Sequence, residues 1–170
     1  MESPRRDYTI HVFPHVKKFM KKSNIPYENR TFISEEYSTF GKLVTYCLRC
    51  RREKSKAAGS GYGTNSQSRD RLTASITIRL TVDQSRMSVR LAVLQHLATE
   101  LDDLFKEALL TWISAQEVLD VPALSACRHF LDYHGIDENE YSLDAAYKCW
   151  QRARAKKKEK SVENSLPTVT

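Results

Sequence analysis

The sequence predicts a mixed α+β fold dominated by helices, with two β-α-α units in one chain followed by a C-terminal helical hairpin. Three observations support this. Two short segments, residues 8–13 and 73–81, alternate apolar with polar side chains as half-buried strands do. Each is followed by two stretches with apolar residues every three or four positions, as in amphipathic helices. A segment rich in glycine and serine, residues 55–70, has the composition of a flexible linker between the halves.

In the first half, Ile10 and Val12 form the apolar side of the strand, and Pro14 suits the first turn of a helix over residues 14–23. The outer face of that helix is basic, with Lys17, Lys18, Lys21 and Lys22. Either the segment Ser34–Tyr37 or the pair Ser38–Thr39 can cap a second helix. Phe40, Leu43, Val44, Cys47 and Leu48 form its apolar stripe, and it runs into the basic residues Arg49, Arg51, Arg52 and Lys54.

The second half repeats this order. Helical periodicity covers residues 88–98 and resumes over 101–114, and two more helices are predicted at 122–133 and 142–158. Gly135 suits a left-handed C-terminal cap, and Ser142 suits a helix start. The predicted domains are therefore a first unit at 1–54, a linker at 55–70, a second unit at 71–118, a helical hairpin at 119–158 and a disordered tail at 159–170.

Charge is distributed unevenly along the chain. Residues 99–145 contain eleven acidic and two basic residues, a net charge of −9, which leaves +15 for the rest of a chain whose total is +6. A basic remainder suits a polyanion, for which nucleic acid is the commonest candidate and an anionic membrane surface the main rival. No stretch has the length and apolarity of a membrane span or a signal peptide, so we expect a cytoplasmic protein without a membrane partner.

The two halves can be aligned on each other. Thr9-Ile10-His11-Val12 matches Thr77-Ile78-Arg79-Leu80, and the helical segment 38–46 then falls opposite 102–112. A strand followed by two helices resembles the ribbon-helix-helix family of DNA-binding proteins, closely over residues 73–114 and loosely over 8–50. The resemblance implies an antiparallel two-stranded ribbon, to which this one chain would contribute both strands.

A two-stranded ribbon fits the major groove of B-DNA, where only its outward side chains reach the bases. Successive side chains of a strand point to opposite faces, so Ile76, Ile78 and Leu80 are expected to face the core. The outward residues are then Thr77, Arg79 and Thr81 in one strand and Thr9, His11 and Phe13 in the other. Arg79 is the candidate guanine contact, because its guanidinium can donate to both O6 and N7.

The resemblance also implies that backbone amides at the start of the second helix bind phosphate. Ser38 and Thr39 can begin such a helix in the first half. The second half departs from the pattern, because Glu100, Asp102 and Asp103 occupy the matching positions and would repel phosphate. Either only half of the ribbon binds DNA in the way usual for the family, or the fold serves another purpose.

Three basic clusters are candidates for phosphate contact: the α-helical lysines at 17–22, the run from Arg49 to Lys54, and the C-terminal run. The C-terminal run comprises Arg152, Arg154, Lys156 and Lys157. Tyr147 and Trp150 precede that run, and their helical spacing predicts core residues in preference to a base-stacking surface.

The cysteines allow two interpretations. Cys47 and Cys50 have the spacing of a zinc knuckle, and Cys127 with His129 could complete four ligands. Cys47, however, lies in the apolar stripe of a predicted helix, so we expect buried thiols, no metal and no cofactor.

The sequence carries no phosphate-binding glycine loop, metallohydrolase histidine motif or glycine-flanked nucleophile. The residue types of a recombinase or a small ribonuclease do occur, as Arg128, His129, Tyr133, His134 and Tyr141, but isolated surface residues account for them equally well. We therefore predict a protein that is not an enzyme.

The prediction is a DNA-binding transcriptional regulator, or an accessory factor of a phage or mobile element, a setting that the resemblance implies. Two alternatives stay open. One is an adaptor that docks on a protein or ribonucleoprotein, or that self-associates, through the acidic residues 99–145. The other is a protein that binds structured RNA.

Overall fold

The computed structural model describes residues 6–35, 37–49, 72–81, 84, 89 and 91–163, with the backbone alone for residue 158 and residues 160–163. Within these residues the chain forms five helices and one four-stranded sheet, which confirms the predicted helix-dominated α+β class. The elements in chain order are β1 (Asp7–Val12), α1 (Pro14–Lys22), β2 (Tyr27–Glu28), β3 (Thr31–Ile33), α2 (Thr39–Arg49), β4 (Ala74–Arg79), α3 (Leu91–Glu117), α4 (Ala123–His134) and α5 (Leu143–Glu163).

The chain divides into two compact units whose boundary falls inside α3. From here on, the first unit is residues 1–104 and the second unit is residues 105–170, in place of the predicted bounds. The predicted linker at 55–70 and the end of the predicted tail, residues 164–170, lie outside the described residues. No helix in the described ranges combines the length and the apolarity needed to cross a lipid bilayer.

The two strands expected from alternation do pair. β1 and β4 run antiparallel, with Thr9 opposite Thr77 and Ile10 opposite Ile76. Ile10, Val12, Ile76 and Ile78 are buried on one face of the pair. Period-two alternation therefore places the intervening residues on the other face, as the sequence predicts.

The expected two-stranded ribbon is nevertheless part of a wider sheet, with strand order β1-β4-β3-β2. The predicted loop between α1 and α2 contains the hairpin β2–β3, whose two-residue turn holds Asn29 and Arg30 at positive φ, 48° and 64°. Positive φ at both positions is typical of a type I′ turn. β3 then pairs in parallel with β4, so that β4 is an interior strand.

The first unit packs its helices on the apolar face of the sheet. Ile78 and Leu80 line a small apolar cavity together with Val44 of α2 and Leu97 of α3, which places both helices against that face. α1 begins with Pro14 in its first turn and buries Val16, Phe19 and Met20. The buried His15 of α1 is hydrogen-bonded through Nε2 to Asp102 Oδ1 of α3 at 2.9 Å, which ties α1 to the same side of the sheet.

α2 begins after Ser38, which selects the second of the two predicted caps. The Gly41 amide donates to Ser38 Oγ at 2.9 Å, the bond expected between an N-cap side chain and the third helical residue. Ser38 in turn donates from both its amide and its hydroxyl to the carbonyl oxygen of Glu35. This tight approach leaves no room for a Cβ at position 41, where an added carbon would overlap Glu35 O.

The two helices predicted at 88–98 and 101–114 are one continuous helix, α3, and their separation was wrong. The interval between them contains neither glycine nor proline, so no residue there ends a helix. A single stripe of residues spaced by four, Val93, Leu97, Leu101, Phe105, Leu109 and Ile113, is buried along its length. Within the described residues, the second half therefore shows one long helix where two were predicted.

In the second unit, the caps predicted at Gly135 and Ser142 are confirmed. The predicted end of the last helix at residue 158 and the start of the disordered tail at 159 are wrong, because α5 continues to Glu163. The amides of Gly135 (φ 65°) and Ile136 donate to Asp132 O and Leu131 O, which is the Schellman arrangement at the end of α4. The amide of Ala145 donates to Ser142 Oγ at 3.1 Å and caps α5. An aromatic cluster forms the core, in which Phe105 contacts both Phe130 and Tyr141 with ring centroids 5.8 and 5.1 Å apart.

Candidate nucleic-acid interface

The outer face of the β1–β4 pair carries the polar residues that the sequence assigns to it. Thr9 and His11 are exposed, and Thr77 and Arg79 are partly exposed. Thr77 is the register partner of Thr9 on one side and of Thr31 on the other, so three threonines form one row across the sheet. Thr31 is buried, so the accessible part of this face presents the hydroxyl groups of Thr9 and Thr77 near the Arg79 guanidinium.

Arg79 is held in place by an ion pair that sequence reasoning missed. Its Nε donates to Asp7 Oδ1 at 2.9 Å and its Nη2 to Asp7 Oδ2 at 3.0 Å, between directly opposed positions of β1 and β4. The hydrogen bonds from Arg79 hold the pKa of Asp7 below its ordinary value, and the Asp7 carboxylate raises the pKa of Arg79. Glu28 contributes a smaller electrostatic effect of the same sign on Arg79.

This geometry uses only one edge of the guanidinium. Of its five N–H groups, the two on the Nε–Nη2 edge point at Asp7, which leaves three donors at the Nη1–Nη2 end of the group. A planar fork of that kind matches the two acceptors of guanine or of a phosphate. Asp7 therefore fixes the orientation of Arg79 and at the same time cancels its net charge.

Thr81 does not belong to the candidate interface. β4 ends at Arg79, and Thr81 bonds reciprocally with the buried Gln84. The Thr81 backbone amide donates to Gln84 Oε1, and the Gln84 backbone amide donates to Thr81 Oγ1. The hydroxyl that the sequence assigned to the outer face is therefore occupied in the turn that follows the strand.

The width of the sheet varies along β4. At Thr77 and Arg79, β3 flanks β4, whereas Ser75 and Ala74 are paired with β1 alone among the described strands. Strands in a sheet lie about 4.8 Å apart, and the major groove is about 12 Å wide. Only the end that carries His11 and Ser75 has the two-stranded width predicted from the sequence.

The basic residues of α1 are not on the face that carries Arg79. Because α1 packs on the helical side of the sheet, its lysines border solvent on the opposite side of the unit. Lys17 and Lys18 are partly exposed, and Lys21 and Lys22 are exposed. Arg49 is exposed at the end of α2, and Arg51, Arg52 and Lys54 lie outside the described residues.

The second unit carries the third predicted cluster, on α5. Arg152, Arg154, Lys156 and Lys157 are all exposed. Tyr147 and Trp150, expected in the core, are instead only partly buried and stack on each other, with ring centroids 5.3 Å apart and planes 25° apart. The Arg154 guanidinium lies over the Trp150 ring, 5.1 Å from its centroid.

Two of the three cysteines that the structure describes are buried, and Cys149 is only partly buried. Cys47 is buried in the stripe of α2, and Cys127 is fully buried in α4. Burial raises the pKa of the Cys127 thiol to about 11, and the nearby Cys149 adds to the effect. Among the described residues, which exclude Cys50, no three histidine, cysteine or acidic side chains are grouped closely enough to hold a metal ion.

Two residues of this region, Asp7 and Gln84, were not found from the sequence. Asp7 immediately precedes the strand predicted at residues 8–13, and its role depends on the register that places it opposite Arg79. In the comparisons with known proteins, no family model, no curated protein and no solved structure matches the chain.

Proposed function

We propose that the protein binds double-stranded DNA through the outer face of its β1–β4 pair. The observation that carries the proposal is the Asp7–Arg79 pair on an open sheet face, because it orients a bidentate donor among small hydroxyl side chains. A fixed guanidinium loses less conformational entropy when it meets a base than a mobile one. In the proposed complex the two-stranded end with His11 enters the major groove. Thr9, Thr77 and Arg79, where the sheet widens, contact base edges at the rim of the groove, with Arg79 reading guanine.

We interpret the fold as a divergent form of two ribbon-helix-helix units. In the first, β1 and α1 are followed by the hairpin and α2; in the second, β4 precedes the long helix α3. Under this proposal the protein acts as a transcriptional regulator or as an accessory factor of a phage or mobile element. Neutralisation of Arg79 by Asp7 means that the sheet contributes sequence preference more than affinity, and the exposed basic residues supply the phosphate contacts.

Gel shifts over a series of salt concentrations test the proposal, with DNA flanking the gene and random duplex as the two probes. Arg79→Ala is expected to remove the preference for one duplex over the other while leaving the salt dependence nearly unchanged. Arg79→Lys is expected not to restore it, because an ammonium group lacks the planar fork. Equal loss on both duplexes would contradict base reading.

The α1 lysines provide the matched control. Replacing Lys17, Lys18, Lys21 and Lys22 by alanine removes four charges from the other side of the unit, so the salt dependence and the preference should change little when DNA binds on the sheet face. Structured RNA serves as a competitor in the same assay. If it displaces the preferred duplex at equal concentration, the ligand class is RNA.

A second function is favoured by a separate observation in the acidic stretch. Val118 and Leu119, in the turn after α3, are 82% and 70% exposed, and Leu124 at the start of α4 is 45% exposed. Apolar side chains grouped on a surface are typical of a docking site. The corresponding proposal is an adaptor or self-associating surface, and Leu119→Asp would then lower the association constant measured by analytical ultracentrifugation.

A further inference from the structure

Residues 151–157 of α5 are almost wholly exposed to solvent. The helix is anchored in the second unit by Ala146, which is fully buried. From Gln151 to Lys157 every side chain is exposed except the partly buried Ala153. A helix that is polar on all sides buries no apolar stripe that would stabilise it, and here its basic charge suggests that it binds a polyanion.

The exposed part of α5 is strongly basic and begins at an aromatic column. Tyr147, Trp150 and Arg154 are spaced by three and four positions, so they lie on one face of the helix. Their rings and guanidinium stack in sequence along that face. Of the remaining exposed cations, Lys157 follows Trp150 by seven positions and lies on the same face, whereas Arg152 and Lys156 project from other sides of the helix.

We infer that this segment of α5 binds single-stranded nucleic acid, with an unpaired base stacked on Trp150 and the backbone held by the surrounding cations. This site lies in the second unit and does not depend on duplex recognition by the sheet. Aromatic side chains that alternate with basic ones are the combination by which proteins hold unpaired nucleotides without regard to sequence.

The base takes the position that the Arg154 guanidinium occupies over the indole ring. A stacked base contributes about five- to a hundredfold in affinity, whereas an exposed cation–π contact contributes only about two- to fivefold. The exchange therefore favours the base. The displaced guanidinium keeps its charge and can donate two hydrogen bonds to the adjacent phosphate.

Fluorescence anisotropy of labelled oligothymidylate of about sixteen nucleotides measures the site directly. The decisive comparison is an abasic strand of the same length, which has the same charge but no base to stack. The wild-type protein is expected to bind oligothymidylate at least about fivefold more tightly than the abasic strand. Trp150→Leu should abolish this difference, and Trp150→Phe should retain most of it. Tyr37→Leu, which removes an 86% exposed aromatic from the first unit, is the matched control and should change nothing.

Intrinsic fluorescence gives a second measurement that does not depend on the leucine variant folding. The chain has two tryptophans, so Trp150→Phe leaves the signal of Trp112 alone. Oligothymidylate should quench the wild-type emission and leave that of Trp150→Phe unchanged.

Two results would overturn the inference. One is equal affinity for oligothymidylate and the abasic strand, which would show a basic arm that holds any polyanion, and anionic vesicles would then bind as well. The other is quenching that persists in Trp150→Phe. Preference between duplexes is a separate measurement. Its loss in Arg79→Ala tests the proposed function of the sheet and does not test binding by α5.

Discussion

Asp7 and Arg79 face each other across the β1–β4 pair, and both carboxylate oxygens of Asp7 accept hydrogen bonds from one edge of the Arg79 guanidinium. The pair has a defined dependence on pH. Since the hydrogen bonds lower the pKa of Asp7, the contribution of the pair to stability is present above the unfolded-state pKa of aspartate. It is lost as the pH falls through the lower pKa of the folded state.

Asp7→Asn should change DNA binding in two directions at once. Removing the carboxylate leaves Arg79 charged but no longer fixed, so affinity for random duplex should rise while preference for one sequence falls. The matched control is Glu28→Gln, which removes a charge that acts on Arg79 from a distance. It should raise affinity and keep the preference. Competition between two duplexes at fixed salt measures both effects, and an unchanged preference in Asp7→Asn would refute the orienting role.

Gly41→Ala should destabilise the first unit even though alanine is the better helix former. An added Cβ overlaps the Glu35 carbonyl oxygen, and the cost of moving backbone to relieve such overlap is about 1–3 kcal/mol. Gly135→Ala is the comparison, since nothing lies near its Cβ and only the positive φ is strained, at about 1 kcal/mol. Urea unfolding of both variants measures the difference. A gain in stability for Gly41→Ala would show that the Glu35 loop can move aside.

Gln84→Ala should lower the free energy of unfolding by about 1–3 kcal/mol, because buried partners lose their hydrogen bonds. Gln84 Nε2 donates to Gly41 O at 3.1 Å and to Thr45 Oγ1 at 2.8 Å, which joins the segment after β4 to α2. Gln95→Ala, on an exposed position of α3, should change stability by less than about 0.5 kcal/mol. Denaturant titration of both variants measures their free energies of unfolding. Equal values would contradict a stabilising role for the hydrogen bonds of Gln84.

Cys127 should resist alkylation while the protein is folded. Its thiol is buried, and a pKa of about 11 leaves almost no thiolate at neutral pH. Cys149 is only partly buried and should react first with iodoacetamide. Peptide mass spectrometry over a time course distinguishes the two sites, and in denaturant both should react at similar rates. Early modification of Cys127 in the native protein would mean that α4 opens readily.

Local signals allowed correct prediction of most helix ends, but not of the end of the last helix or of every connection. Pro14, Gly135 and Ser142 act on the residues next to them, so their roles follow from the sequence alone. The hairpin β2–β3 was missed because its turn uses Asn29 and Arg30 without a glycine. The break in α3 was predicted at a pause in apolar spacing, although no residue there prevents the helix from continuing.

The candidate sites show the same division. Alternation correctly placed Thr9, His11, Thr77 and Arg79 on one face, because side-chain direction in a strand depends only on parity. Whether Arg79 meets a partner depends on which residue lies opposite, and pairing between strands some seventy positions apart is not encoded locally. Helical spacing likewise grouped Tyr147 with Trp150 but could not show whether another element covers them.

The sequence by itself determined the class of the fold, the apolar and polar faces of its main elements, and the uneven distribution of charge. These follow from the periods of helix and strand and from residue chemistry, which operate over a few positions. Only the tertiary structure decided that β4 lies inside a four-stranded sheet, that Asp7 holds Arg79, and that the end of α5 is exposed. Each of these depends on contacts between distant segments, whose free energies are realised only when the whole chain packs.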